Sequence, residues 1–374
     1  MSTSILRQFS LIALISFLAF PISSDVDTTS SLRGSVNVSG ASVEAEHTPT
    51  GVSKSTVSGP GGNFSLAFLP VGGPYTITIS APGYNTERKE GLYLKMAKTG
   101  EISVTLKKAA ADEIVVTAQA GSGVFKVGTG TLLTRDDIDA VPTINRSVAD
   151  FAKLDPRVSI NTASSRDTQI SVMGANNRFN DFSIDGVSFN DPFGLNANGF
   201  GTMRNPVSID FIDQISIEVT PYDASRGNTT GGSIAVVTKS GSNDFHGSVY
   251  YSERNEDNVG EDQNGNDFPE FEEETTTLTF SGPIIKDRLF FFIGYEDFEK
   301  ALPALYGTAD SNAQNKLDYA TSAIAEEIKT IALNTYGYDA GRLNGITFPE
   351  THEEYTVKIN AIFNDSHRGV LNIS

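Results

Sequence analysis

Apolar and polar residues alternate with a period of two along the last third of the chain, from Ser242 to Ser374. In a β-strand this alternation places all apolar side chains on one face. Runs of about ten residues with this pattern are typical of strands whose outer face contacts lipid. The pattern predicts about five antiparallel transmembrane strands, whereas bacterial barrels begin at about eight. We therefore expect residues 242–374 to be the start of an incomplete transmembrane β-barrel, and the chain to be an N-terminal fragment. The apolar members of the runs are Phe245, Val249, Tyr251, Leu278, Phe280, Leu289, Phe291, Ile293, Tyr295, Tyr355, Val357, Ile359 and Phe363.

The first residues carry an export signal. Arg7 precedes an apolar run from Phe9 to Phe20, and small residues follow Pro21. This order predicts a secretory signal peptide over residues 1–24. A signal anchor is the alternative, although the run is shorter than the roughly 20 residues of a spanning helix. An exported chain without a later apolar stretch can span a membrane only as a β-barrel.

Composition excludes several classes of function. The net charge of −18 argues against nucleic acid, because a phosphate backbone requires a basic surface. Cysteine is absent and the four histidines are scattered, so we expect neither disulfides nor a zinc site. The 34 glycines are typical of a turn-rich, mainly β protein.

Residues 30–108 contain short alternating segments separated by turns such as Gly59 to Asn63 and Gly72 to Pro74. This spacing predicts a small antiparallel β-sandwich. Its sequence resembles the carboxypeptidase regulatory-like domain, which implies an Ig-like, carbohydrate-binding-like fold without catalysis. Tyr84 is open to two interpretations, a ligand-stacking residue or a packing corner. The matching segments are Leu32 to Val36, Gly40 to Val43, Gly62 to Phe64, Tyr75 to Ile77 and Ala81 to Tyr84.

A β-prone run follows at residues 112–118. It has no obvious partner strand within the chain, and two interpretations stay open. It is either an ordinary strand or an extended segment that adds to the sheet edge of another protein. The run is Asp112, Glu113, Ile114, Val115, Val116, Thr117 and Ala118.

Residues 121–241 combine helix and strand signals. Thr134 and Ser147 can cap helices, and Val148, Phe151 and Leu154 share one helical face. Strands are predicted at residues 169–174, 180–184, 214–219 and 233–238, with a tight Asp-Gly turn between two of them. The order resembles the α+β plug domain of TonB-dependent receptors. Members of that family commonly have Arg-Gly where this chain has Met-Gly, so a local ion pair is not expected. The motif residues are Val141, Pro142, Met173, Gly174, Asp185, Gly186, Arg226, Gly227, Gly231 and Gly232.

Charged residues of this plug-like region are candidates for contacts with a barrel. Arg178, Asp181, Asp185 and Arg204 could form such polar contacts. A solvated or turn role is the simpler interpretation of each one alone, and Asp185 in particular could serve turn geometry.

Two long loops interrupt the C-terminal strands. The first is acidic, and some of its side chains have calcium-loop-like offsets, although Asp267 stands where an EF-hand requires glycine. A solvated acidic loop is the simpler interpretation. The second loop predicts a helix over residues 312–336, with Leu317, Ile324, Ile328 and Ile331 on one face. The calcium candidates are Asp262, Asn264, Asn266, Glu270 and Glu273.

The complete order of segments resembles the Oar-like branch of the TonB-dependent receptors. The resemblance implies an outer-membrane protein that contacts lipid and allows gated, energy-coupled passage of a large ligand. Residues 112–118 would be the TonB box, gripped by a TonB-like periplasmic energy-transducing protein. No cofactor and no enzymatic activity are implied, and no hydrolase motif is present. The ligand is unknown, with glycan and peptide both possible classes. An alternative is a cell-surface glycan-binding or adhesion protein that uses the N-terminal sandwich.

Overall fold

The computed structural model describes residues 29–96, 98–109, 117–120, 130–143, 145–164, 167–202, 204–219, 230–261, 271–303, 306–311, 313, 315–341, 347–364 and 367–374, with backbone alone for 117–120, 162–164, 167, 303 and 347. The expected signal peptide lies outside these residues. The described residues form three parts in chain order, which we call the sandwich, the central domain and the C-terminal sheet.

The sandwich contains two sheets, with strand orders β4-β1-β7 and β3-β2-β5-β6-β8. Alternating burial along β2 and β5 points Val43, Ala45 and Ile77 into the space between the sheets. β3 and β6 were not predicted, because their sequences are largely polar and β3 has no buried residue. The strands are β1 (Thr29–Val36), β2 (Ser42–His47), β3 (Val52–Val57), β4 (Asn63–Pro70), β5 (Gly72–Ser80), β6 (Glu87–Leu94), β7 (Thr99–Val104) and β8 (Thr117–Ala120).

The central domain is built on a mixed sheet with the order β13-β12-β15-β14-β9, beside a separate β10-β11 hairpin. Two short helices cover it, and Thr134 caps the first of them as predicted. β15 is buried along its whole length, which fits its position between two strands and two packed faces. The elements are β9 (Thr131–Leu133), α1 (Arg135–Ala140), α2 (Val148–Ala152), β10 (Val158–Ser164), β11 (Asp167–Val172), β12 (Asp181–Ile184), β13 (Val187–Ser188), β14 (Ile212–Glu218) and β15 (Ser233–Thr238).

The C-terminal sheet has five strands in the order β16-β17-β18-β21-β22, each antiparallel to its neighbours. It is open within the described residues. A short parallel pair, β19-β20, and one helix occupy the long connection between β18 and β21. The elements are β16 (His246–Asn255), β17 (Glu272–Ile285), β18 (Leu289–Pro303), β19 (Tyr306–Thr308), β20 (Asn315–Leu317), α3 (Ser322–Tyr336), β21 (Thr347–Asn364) and β22 (His367–Ile373).

Two helix predictions need correction. α3 begins at Ser322 rather than near residue 312, because residues 315–317 pair with β19 and Thr321 caps the helix. Leu317 is therefore not on its apolar face. α2 ends at Ala152, so Leu154 lies beyond the helix and is exposed instead of sharing the buried face of Val148 and Phe151.

The fold class predicted from the sequence is confirmed: a mainly β chain with a sandwich, an α+β central domain and part of a barrel-like sheet. Across the described ranges, no helix has the length and apolarity needed to cross a membrane.

Candidate functional site

The C-terminal sheet curves around the central domain and presents one face to it. Phe290 and Phe292 of β18 point inward and are buried, whereas Ile293 points outward and is exposed. Phe211 of the central domain packs edge-on against Phe292, with ring centroids 6.0 Å apart. Gly294 leaves the space for this ring, since a Cβ there would lie 2.5 Å from it. The central domain and the C-terminal sheet therefore fit together here because the Phe211 ring fills the space above Gly294.

The outer face of the sheet carries grouped aromatic residues. Phe245, Phe280 and Phe291 form one group, with ring centroids 5.5 to 6.4 Å apart. Tyr295 and Tyr355 form a second group farther along the strands, with centroids 4.9 Å apart. Aromatic side chains on an apolar outer face are typical of a transmembrane barrel. The predicted apolar alternation thus corresponds to the face turned away from the central domain.

Asp185 begins the tight turn between β12 and β13, and its side chain reaches the C-terminal sheet. Asp185 and Gly186 have φ values of 46° and 84°, and Ile184 pairs with Val187. Positive φ at both central residues is the requirement of a type I′ turn, which Asp-Gly satisfies. The turn geometry predicted from the sequence is confirmed.

The carboxylate of Asp185 is the centre of a buried polar group that we call the turn cluster, formed by Asp185, Thr238, Lys358 and Asn372. Asp185 Oδ1 accepts from the Thr238 backbone N–H at 3.0 Å and from Lys358 Nζ at 3.1 Å. Asp185 Oδ2 accepts from Asn372 Nδ2 at 2.7 Å and from the Thr238 hydroxyl. Lys358 Nζ also donates to Thr238 O and Oγ1, both at 3.0 Å. Lys358 is 5% exposed and Asp185 is 9% exposed. Because both charges are shielded from water, each is stabilised by the opposite charge of the other.

A second group, the arginine cluster, joins the same two parts and consists of Arg204, Ser208, Glu296 and Glu354. Arg204 Nη1 donates to Glu296 Oε1 at 2.7 Å, and its guanidinium lies 3.6 Å from the centre of the Phe298 ring. The Ser208 hydroxyl donates to Glu296, and the Ser208 backbone N–H donates to Glu354 Oε2 at 2.9 Å. Glu296 and Glu354 are direct cross-strand partners. The central domain thus supplies hydrogen-bond donors to both carboxyl groups of this pair.

Both clusters include a residue of β21, and these residues point the same way. Glu354 and Lys358 are four positions apart on the strand, which corresponds to about 13 Å at roughly 3.3 Å per residue. The central domain is therefore attached at two separate points along one inner strand.

Several sequence candidates lie elsewhere in the central domain. Arg178 is exposed, and Asp181 accepts a hydrogen bond from the Ser233 hydroxyl within the same domain. Met173 and Gly174 follow β11 at positive φ. Gly231 and Gly232 permit close packing, since a Cβ would lie 2.7 Å from Asn180 Oδ1 or from the Val172 side chain. Arg226 and Gly227 lie outside the described residues.

Sequence reasoning missed the partners that the sheet contributes. Inward-facing polar residues are common in barrel strands. The alternation of apolar and polar residues therefore does not distinguish Lys358 and Glu296 from other inward-facing residues. The pairing with Asp185 and Arg204 becomes visible only when the parts are assembled.

Glu273 is the one calcium candidate among the described residues, and its contacts do not support a calcium site. Glu273 forms ion pairs with Arg254 at 3.0 Å and with Lys300 at 2.9 Å, and both partners lie on neighbouring strands. Asp262, Asn264, Asn266 and Glu270 lie outside the described residues. Among the residues that are described, no group of three acidic, histidine or cysteine side chains could hold a metal ion.

The β-prone run is described only at its end. Thr117 and Ala118 open β8, which pairs in parallel with β6 through Glu87 with Thr117 and Arg88 with Ala118. The expectation that this run has no partner in the chain is therefore wrong for these two residues. Distance along the chain hides such a pairing from local sequence patterns. Asp112, Glu113, Ile114, Val115 and Val116 lie outside the described residues.

A cavity of about 190 Å³ lies where the sandwich, the central domain and the C-terminal sheet meet, with His47, Asp213 and Lys358 among its lining residues. Burial raises the pKa of Asp213 to about 6, and the nearby cations of Lys358, Lys239 and Arg135 oppose this rise. Gly72 of the sandwich comes so close that a Cβ would lie 2.9 Å from Asp213 Oδ2.

The raised pKa of Asp213 predicts a pH-dependent stability. A carboxyl whose pKa is higher in the folded state stabilises the fold when protonated, so its contribution falls as pH rises from about 4 through about 6. We expect Asp213→Asn to raise the Tm of the purified protein at pH 7 and to leave it unchanged at pH 4. Thermal unfolding at several pH values measures this, with the exposed Asp136→Asn as the control. An equal Tm shift at pH 4 and pH 7 would contradict it.

Comparisons with known proteins agree with this architecture. Residues 31–107 match the carboxypeptidase regulatory-like domain, residues 127–233 match the TonB-dependent receptor plug domain, and residues 237–339 match an outer membrane beta barrel domain. The TonB-dependent transporter Oar of Myxococcus xanthus is 29% identical over an alignment that covers 63% of this chain and 23% of that protein. The chain thus spans about a quarter of the length of this curated relative.

Two solved structures match part of this chain. The outer membrane transporter YddB from Escherichia coli is 19% identical, with a TM-score of 0.44, and the match covers 63% of this chain and 31% of YddB. The siderophore receptor PirA from Acinetobacter baumannii is also 19% identical with a TM-score of 0.44, and the match covers 65% of this chain and 31% of PirA. The assignment depends on the three domain matches in one order and on the curated relative. In its three domain matches and their order, the chain resembles the TonB-dependent receptors of the outer membrane, and within them the Oar-like branch.

Proposed function

We propose that the complete receptor carries out energy-coupled, gated passage of a large ligand through a barrel that the central domain fills. The observation that carries this proposal is that two buried polar clusters join the central domain to the inner face of the C-terminal sheet. Charged groups recover hydration when they separate, which offsets part of the cost of breaking their contacts. Such an attachment can be opened and remade.

The proposed coupling element is the run from Asp112 to Ala118. A TonB-like periplasmic energy-transducing protein would add a strand to it, with main-chain hydrogen bonds supplying the grip. β-Branched Ile114, Val115, Val116 and Thr117 favour the extended conformation that strand addition requires.

The plug motif residues have structural roles in this proposal. Asp185 and Gly186 form the turn that positions the Asp185 carboxylate in the turn cluster. Gly231 and Gly232 allow the chain to pack closely against Asn180 and Val172. In this proposal Met173, Gly174, Arg178, Arg226 and Gly227 are the further plug motif residues. The proposed division of the chain is residues 1–24 as signal peptide, 30–108 as sandwich, 112–118 as coupling run, 121–241 as plug and 242–374 as the start of the barrel.

The outer aromatic face would contact outer-membrane lipid, and the ligand class, glycan or peptide, is open. The receptor would perform no catalysis. An adhesion or glycan-binding role of the sandwich is not favoured. Tyr84 packs against the sandwich core and forms a bridge with Lys108, which fits a packing corner.

The test uses a single cysteine as a reporter of central-domain movement. Because the chain has no cysteine, Ser208→Cys introduces a unique thiol at a buried point of contact with the sheet. In cells that make the receptor, we expect a maleimide to label it several-fold faster when the inner membrane is energised than after a protonophore is added. Deletion of Asp112 to Ala118 should remove this difference.

Phe193→Cys is the matched control, because Phe193 is 82% exposed and should be labelled equally in every condition. Labelling of Ser208→Cys that still depends on energy after the deletion would contradict the proposed coupling element. Labelling that never depends on energy would contradict the proposed function.

A further inference from the structure

The sandwich forms hydrogen bonds with the link between the central domain and the C-terminal sheet. Asn243 lies in the short link from β15 to β16, and its backbone N–H donates to Pro49 O at 3.0 Å. Its Nδ2 donates to Thr50 O and to Asp287 Oδ1, both at 2.7 Å, and its Oδ1 accepts from the Asp287 backbone N–H at 2.9 Å. One asparagine thus ties a sandwich turn to the turn between β17 and β18.

The turn of the sandwich is shaped for this contact. Residues 48–51 join β2 to β3, and Gly51 closes the turn with a φ of 67°. A Cβ on Gly51 would lie 3.2 Å from Asn243 Nδ2. Glycine therefore serves both the left-handed backbone and the close approach of the amide.

The sandwich also contacts the central domain directly, through β14. Lys98 Nζ lies 3.4 Å from Glu218 Oε2 in an ion pair that is mostly buried. Gln214, which is 1% exposed, donates from Nε2 to Leu94 O at 3.4 Å. These contacts and the Asn243 contact act on different parts of the sandwich, so together they fix its orientation.

The last strand before the central domain belongs to the sandwich. β8 is an edge strand of the sandwich sheet, and β9, next along the chain, is an edge strand of the central sheet. A pull on the chain ahead of β8 therefore acts first on the sandwich and reaches the central domain only afterwards.

We propose that the sandwich is a brace that keeps the central domain seated, and that it must detach before the central domain moves. This inference deepens the proposed function, because it concerns the order of steps in the energy-driven movement. The brace consists of the Asn243 contacts with Pro49 and Thr50 and the β14 contacts of Lys98 and Leu94. Breaking either set lowers the barrier to movement.

The test measures the maleimide labelling rate of the Ser208→Cys reporter in receptor-containing outer membranes, without an energy source and in energised cells. Asn243→Ala removes three side-chain hydrogen bonds, one to Thr50 of the brace and two that hold the asparagine to Asp287, and we expect labelling to be at least threefold faster in both conditions. Lys98→Gln removes an independent contact and should act in the same direction. This second variant keeps the proposal testable if Asn243→Ala disturbs barrel assembly.

The control is Asn258→Ala, which removes an exposed asparagine hydrogen bond at the opposite end of the same sheet. An unchanged rate for both Asn243→Ala and Lys98→Gln would overturn the brace, and so would an equal acceleration by Asn258→Ala. The measurement without energy tests the brace alone, whereas deletion of the coupling run tests the proposed function. The two ideas can therefore fail separately.

Discussion

Replacement of Lys358 by methionine is expected to weaken the attachment of the central domain by about 3–5 kcal/mol, the usual cost of leaving a buried charge without its partner. Methionine keeps most of the side-chain volume, so the change removes the ammonium group and little packing. Asp185 would keep its bonds from Thr238 and Asn372 but lose its counter-charge. Without an energy source, we expect maleimide labelling of the Ser208→Cys reporter to accelerate about a hundredfold or more.

Two further variants test the reason given for this effect. Lys300→Met removes a similar ion pair, with Glu273, that lies between strands of the C-terminal sheet, and it should leave labelling unchanged. Asp185→Asn in the Lys358→Met background removes the orphaned charge, and asparagine tolerates the positive φ of this position. This double variant should be labelled more slowly than Lys358→Met alone. Equal labelling of both would show that charge is not the cause.

Local sequence patterns predicted the architecture because its periodicities are short. The alternation around Phe291 and Ile293 identified the outer face of β18, and Asp185-Gly186 identified a tight turn. In both cases a few adjacent residues determine the geometry. The order of the three parts then followed from motifs with characteristic spacing.

Contacts between the parts could not be predicted from the sequence. Lys358 meets Asp185 across 173 positions of the chain, and Glu296 meets Arg204 across 92. No local pattern distinguishes these residues from other inward-facing polar side chains. The same limit applies to β8, whose parallel partner β6 lies on the far side of β7 in the chain. The start of α3 was misplaced for a related reason, since β20 forms only when β19 is beside it.

Replacement of Arg204 by leucine is expected to destabilise the central domain against detachment by about 3–5 kcal/mol. The change removes the ion pair with Glu296 and the stacking on Phe298. Glu296 is 4% exposed, so it would lose its counter-charge while keeping the hydroxyl donors of Ser208 and Thr277. Pulse proteolysis of the purified receptor in urea should show the central domain cleaved at a lower urea concentration.

The double variant Arg204→Leu/Glu296→Gln separates charge from packing. Glutamine keeps an oxygen that accepts from Ser208 but carries no charge, so we expect at least half of the lost stability to return. The remaining loss measures the contact of Arg204 with the Phe298 ring, which is worth roughly 1–2 kcal/mol in such settings. Arg254→Leu is the control, because its ion pair with Glu273 joins strands of one sheet and is more exposed, so its loss should cost about 1 kcal/mol or less. If the double variant is no more stable than Arg204→Leu, the arginine cluster holds the central domain by shape and not by neutralising Glu296.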